Sequence, residues 1–90
     1  MVVTNHHRTT AIVIRNDGKR VTLVPMTAGK LSACTVSFED FRHDWMEAEY
    51  SLDRALGMFL HHAAELGATG EASRGLTRLQ QRDRFIASLF

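Results

Sequence analysis

The sequence contains one cysteine, one proline and no long apolar run, and each scarcity excludes a class of protein. Because Cys34 is alone, neither an internal disulfide nor a cysteine zinc knuckle can form. The apolar runs are only a few residues long, far below the roughly 20 residues that cross a bilayer, and the first residues lack the apolar stretch of a signal peptide. We therefore expect a cytoplasmic protein that does not enter a membrane.

Strong net charge is also lacking, since the 90 residues carry only +1 at pH 7. The charge alternates along the chain, with +4 over residues 1–37, −5 over 38–66 and +2 over 67–90. This alternation indicates either charge complementarity within the fold or between subunits, or a field that steers a ligand. With 44% apolar residues and no biased segment, the chain is predicted to form one domain over residues 1–90.

Two β-rich runs flank Asp17-Gly18, which favours a two-residue type I′ turn. The cross-strand pairs that such a turn sets are Ile14 with Val21, Ile12 with Leu23, Val13 with Thr22, and Arg15 with Arg20. One face of the hairpin would then carry Ile12, Ile14, Val21 and Leu23, and we expect a helix to pack on that face. A short third strand is predicted over 31–36, so that the sheet occupies residues 9–36.

Helical spacing follows from Ser37 onward. The predicted helices run over 38–49, over 51–66 and from about residue 71, within a helical portion of 38–86. Ser51 is a predicted N-cap of the second helix, and Gly67 a predicted C-terminal stop. The fold class is thus α+β: an N-terminal antiparallel β-hairpin or three-stranded meander packed against two or three C-terminal α-helices.

An acidic face is predicted on the first helix, where Asp40, His43, Asp44 and Glu47 follow the i, i+3, i+4, i+7 spacing. Carboxylates and an imidazole at this spacing are weak candidates for binding a divalent ion. One helix rarely completes a coordination sphere, and charge runs are usually solvated. We therefore expect no metal and no cofactor.

An arginine stripe is predicted on the last helix, because Arg74, Arg78 and Arg82 recur every four residues and drift by only about 40° per step. Arg84 and Phe85 adjoin them. Arginines beside an aromatic ring are typical of phosphate contact with base stacking, and Arg15 and Arg20 are further candidate contacts. The alternative is a salt-bridged face, with the stripe meeting Asp40, Asp44 and Glu47.

A third candidate is an interaction surface made of Trp45, Tyr50, Phe85, Leu89 and Phe90. Aromatic residues anchor many interfaces, although a small core also uses them. The chain shows no nucleophile paired with a base, so we expect no enzymatic activity. The leading prediction is a non-enzymatic protein-interaction or adaptor module whose partner is another protein or a second copy in a homodimer. The alternative prediction is a nucleic-acid-binding regulator that uses the arginine stripe.

Overall fold

The structure, a computed structural model, describes residues 1–26, 31–49, 51–67 and 70–89. The elements in these ranges are β1 (Val2–Asn5), β2 (Thr10–Asn16), β3 (Arg20–Pro25), β4 (Cys34–Ser37), α1 (Phe38–Asp44), β5 (Trp45–Glu47), α2 (Leu52–Leu66) and α3 (Gly70–Ser88). The fold class is α+β, as the sequence predicts.

The described strands form a five-stranded sheet in the order β4-β3-β2-β1-β5, with antiparallel neighbours throughout. Strands β1 to β4 pair in chain order, and β5 then joins the free side of β1. The predicted hairpin or three-stranded meander was therefore too small. The four residues of β1 were too short a run to stand out in the sequence, and β4 begins three residues later than predicted.

Strand β5 replaces the second half of the predicted helix over 38–49, which was wrong beyond Asp44. Trp45 already has extended backbone angles, φ −123° and ψ 143°. Residues 45–47 pair with Asn5, Thr4 and Val3 of β1. The helical spacing of the side chains did not decide the structure of residues 45–47. Their pairing with β1 forms backbone hydrogen bonds that the end of a short helix would leave unmade.

The register of the β2–β3 hairpin also differs from the prediction. The observed pairs are Ala11 with Pro25, Ile12 with Val24, Val13 with Leu23, Arg15 with Thr22 and Asn16 with Val21, with an irregularity between Val13 and Arg15. The cause lies in the loop, where the Asp17 carboxylate accepts the backbone N–H groups of Arg20 (2.8 Å) and Lys19 (2.9 Å). The Asn16 side chain accepts from Gly18 (2.9 Å), whose φ is 87°. These side-chain bonds favour a longer loop over the two-residue turn.

Both faces of the sheet are covered. One core cluster joins Val2, Ile12 and Val24 to Leu56 and Phe59 of α2 and Leu76 of α3. The other joins Val3, Ala11, Val21 and Leu23 to Phe41 of α1. Because successive strand residues point to opposite faces, α2 and α3 lie on one side of the sheet and α1 lies on the other.

The predicted common face of four aliphatic residues is therefore wrong. Ile12 and Ile14 pack on the side of α2 and α3, whereas Val21 and Leu23 pack on the side of α1. A shift of one residue in register moves an entire set of side chains to the other face. The wrong prediction of the turn therefore also led to a wrong prediction of which aliphatic residues share a face of the sheet.

The structure confirms the predicted second helix, α2, almost residue for residue. The Ser51 hydroxyl accepts the backbone N–H of Arg54 (3.3 Å), and Gly67 ends the helix at φ 88°. The predicted ridge of α2 faces the sheet through Ala55, Leu56 and Phe59, all 2% exposed or less.

Replacing Ser51 with alanine is expected to lower the free energy of unfolding by about 1 kcal/mol, because the Arg54 N–H loses its acceptor. Urea denaturation followed by circular dichroism measures the change. Ser73→Ala is the control, since Ser73 is exposed inside α3, where alanine is the better helix former. An equal loss in both variants would contradict the capping role.

Candidate nucleic-acid interface

The irregularity in β2 places two successive side chains on the same side of the sheet. Arg15 pairs with Thr22. Thr22 shares a face with Val24, because these two residues are two positions apart along β3. Ile14 also packs against the cluster on that face. The β-bulge therefore directs Arg15 toward α3 instead of α1, which is a common effect of bulges.

Helix α3 lies close against β2 at Gly75. A Cβ atom at Gly75 would lie 2.7 Å from Cδ1, 3.1 Å from Cβ and 3.2 Å from Cγ2 of Ile14. A residue without a side chain is needed for the two elements to approach this closely. The contact holds Arg74 and Arg78, on either side of Gly75, beside the strand that carries Arg15.

A surface groove runs between α3 and the exposed end of the sheet. One hollow of about 180 Å³ is lined by Ile14, Arg15, Thr22, Glu71, Arg74, Gly75 and Arg78. An adjoining hollow of about 280 Å³ shares Arg15, Thr22 and Glu71, and adds Asp17, Arg20 and Thr35. We call this continuous surface the arginine groove, after its four arginines, Arg15, Arg20, Arg74 and Arg78.

The groove carries excess positive charge, because its four arginines face only Asp17 and Glu71. Within the described ranges, none of the four has a carboxylate oxygen within 4.0 Å. The backbone N–H groups of Arg20 and Lys19, and after them the charges of Arg15 and Arg20, hold the pKa of Asp17 below its usual value, so Asp17 offsets part of the positive charge while its carboxylate is hydrogen-bonded to the loop. The guanidinium groups are thus available to an anion from solution.

Two threonines complete the sheet side of the groove. The hydroxyl oxygens of Thr22 and Thr35 lie 3.0 Å apart, across the β3–β4 pair. Hydroxyl groups beside arginines are frequent in phosphate contacts, where they donate to phosphate oxygens.

The acidic residues of α1 lie on the opposite side of the sheet. Phe41 packs α1 against Val21 and Leu23, whereas Ala72 and Leu76 pack α3 on the other face. The predicted meeting of Asp40, Asp44 and Glu47 with the arginine stripe is therefore not found within the chain. Arg42 of α1 instead lies 5.8 Å from the ring centroid of Phe38.

The four metal candidates do not share one helix face. Asp40, His43 and Asp44 lie on α1, but the helix ends before Glu47, which belongs to β5. His43 Nδ1 and Asp44 Oδ1 are 3.2 Å apart on an exposed surface. Among the residues whose positions are described, no three His, Cys, Asp or Glu side chains come together as a metal site requires.

The three arginines of the stripe on α3, Arg74, Arg78 and Arg82, are all exposed. At 100° per residue, Phe85 lies about 20° from Arg78 around the helix and so continues the same stripe, and Leu89 follows just beyond the last helical residue, Ser88. Each of these two side chains is 64% exposed. Arg84 is exposed too, but lies about 120° from Arg78 and does not belong to the stripe.

The predicted interaction residues are divided by the structure. Trp45 is half-buried and packs against the cluster under α1. Tyr50 and Phe90 lie outside the described residues. Phe85 and Leu89 are exposed, and so is Met46 of β5, which is 70% exposed.

Comparison with protein families, with curated proteins and with solved structures found no match. In the described parts of the chain, no helix combines the length and the apolar character that crossing a bilayer requires. Inferences about function therefore depend on this chain's own surface.

Proposed function

We propose that this protein binds nucleic acid, holding the phosphate backbone in the arginine groove without catalysing a reaction. The observation that carries the proposal is the convergence of Arg15 and Arg20 with Arg74 and Arg78, which are more than 50 residues apart in the chain. Free guanidinium groups form bidentate hydrogen bonds with phosphate oxygens, and neutralising phosphates releases counterions. A near-neutral chain can do this because its acidic residues lie largely elsewhere.

The test is fluorescence anisotropy of a labelled oligonucleotide of about 16 nucleotides, titrated between about 50 and 200 mM salt. We expect a dissociation constant of about 10⁻⁴–10⁻⁶ M that weakens steeply with salt. Arg74→Ala combined with Arg78→Ala, and Arg15→Ala combined with Arg20→Ala, each remove two phosphate contacts. Each pair should therefore reduce the salt slope by about 1.4 for a single strand.

The matched control is Arg42→Ala, which removes a positive charge from the opposite side of the sheet. It should leave both affinity and salt slope nearly unchanged. Since all five arginines are exposed, the variants are expected to fold, which circular dichroism verifies. Affinity that does not depend on salt, or an equal loss in Arg42→Ala, would contradict the proposed groove.

A second candidate is the protein-interaction module that ranks first from the sequence. It is supported by the exposed apolar end of α3, where Phe85 and Leu89 are 64% exposed and Ile86 is 45% exposed. Light scattering over a range of concentrations tests for a homodimer. This candidate gives no reason for the bulge that directs Arg15 into the groove, and we therefore place it second. The single Cys34 supports a cytoplasmic location for either function.

A further inference from the structure

Phe85 is an aromatic ring that the described core does not use. The last residue of α3 that packs against the core cluster is Leu79. The helix continues beyond it to Ser88, a further nine residues or about 14 Å, and most of this end is exposed. A ring that is 64% exposed on such a projecting end is available to a ligand.

The ring lies in line with the phosphate-binding side chains. Along the axis of α3, Phe85 is about 4.5 Å beyond Arg82 and about 10.5 Å beyond Arg78, at 1.5 Å per residue. Stacked nucleotides rise by about 3.4 Å each. About three nucleotides thus extend from the phosphate at Arg78 to a base at Phe85.

On the basis of the proposed function, we infer that the ligand is single-stranded nucleic acid, with phosphates on Arg74, Arg78 and Arg82 and an unpaired base stacked on Phe85. A single strand offers the π-face of a base to an aromatic side chain, and such stacking tolerates any sequence. In a duplex the bases stay stacked on one another, so their faces are not available to an aromatic side chain. Inorganic polyphosphate contains no bases.

The experiment measures the binding of wild type and Phe85→Ala to three probes: a labelled oligothymidylate, a duplex of equal length and inorganic polyphosphate. We expect the substitution to weaken binding of the single strand about 5- to 150-fold, the range that stacking of one base gives. Binding of polyphosphate should remain within about twofold, because the arginines are intact. Phe85→Trp should retain binding of the single strand.

Ile86→Ala is the matched control, since Ile86 is the exposed neighbour about 100° away around the helix. It should bind all three probes like wild type. Phe85→Ala should also leave the salt slope unchanged, whereas the Arg74 and Arg78 double variant reduces it.

The outcomes separate the two proposals. If wild type binds the probes with a steep salt dependence and Phe85→Ala binds the single strand as tightly as wild type, the stacking inference is wrong and the proposed function stands. If Phe85→Ala weakens polyphosphate as much as the single strand, the ring has a structural role and the inference is again wrong. If light scattering shows a dimer that Phe85→Ala dissociates, the ring is occupied by a second copy. If wild type binds none of the probes, both proposals are overturned.

Discussion

Phe59→Ala is expected to lower the free energy of unfolding by about 3–5 kcal/mol. The Phe59 side chain is 0% exposed and belongs to the cluster that joins α2, α3 and the sheet. Its removal costs the transfer energy of the ring and leaves a cavity that the surrounding side chains fill only in part. A domain of this size has a total stability of roughly 5–13 kcal/mol, so the variant loses a large share of it.

Urea denaturation gives the free energy directly, and Tm should fall by more than about 12 °C. The control is the adjacent Met58→Ala, because the Met58 side chain lies about 100° from Phe59 around α2 and is 42% exposed. That change should stay within about 1 kcal/mol. Equal effects at the two positions would show that α2 does not pack on the sheet through Phe59.

Gly75→Val is expected to destabilise the fold by at least about 1–3 kcal/mol, since the new side chain meets Ile14 near its backbone. The distances of 3.1 Å to Cβ and 3.2 Å to Cγ2 involve atoms close to the main chain, which rotation about the outer bond of Ile14 cannot relieve. Helix α3 must therefore move away from β2. Because this movement also separates Arg74 and Arg78 from Arg15, the affinity for the single strand should fall as well.

Gly57→Val is the matched control for this overpacking. Gly57 lies inside α2, and a Cβ atom there would meet nothing within 4 Å. Its replacement should change stability by less than about 0.5 kcal/mol, because the site is exposed. The difference between the two glycines is measured by denaturation, and a similar effect at both would refute the close approach of α3 to β2.

Local signals in the sequence predict the helices well and the sheet poorly. The spacing of Leu52, Leu56 and Phe59 and the cap at Ser51 lie within one segment, so α2 was predicted almost residue for residue. Strand β5 was missed because its partner, β1, lies about 40 residues earlier in the chain. The residue types of Trp45, Met46 and Glu47 give no indication that they pair with a strand so far away in the chain.

The residues of the candidate site also divide into those that local signals predict and those that depend on distant parts of the chain. The stripe of Arg74, Arg78 and Arg82 follows from helical periodicity alone, and all three residues are exposed. The contributions of Thr22 and Glu71 to the groove depend on the register of the hairpin and on the placement of α3. The Asp17 carboxylate decided that register by accepting two backbone N–H groups, a contact that competes with the ordinary Asp-Gly turn.

The single extra residue in β2 has a consequence for how this surface can change over time. Neighbouring residues of a strand point to opposite faces, so deleting Ile14 would leave Arg15 next to Val13, in register with Thr22 and still on the side of α3. The groove would keep its guanidinium but lose the Ile14 side chain, against which Gly75 packs α3 onto β2. The loss of a single codon would thus weaken the packing of α3 on the sheet and leave every arginine of the groove in place.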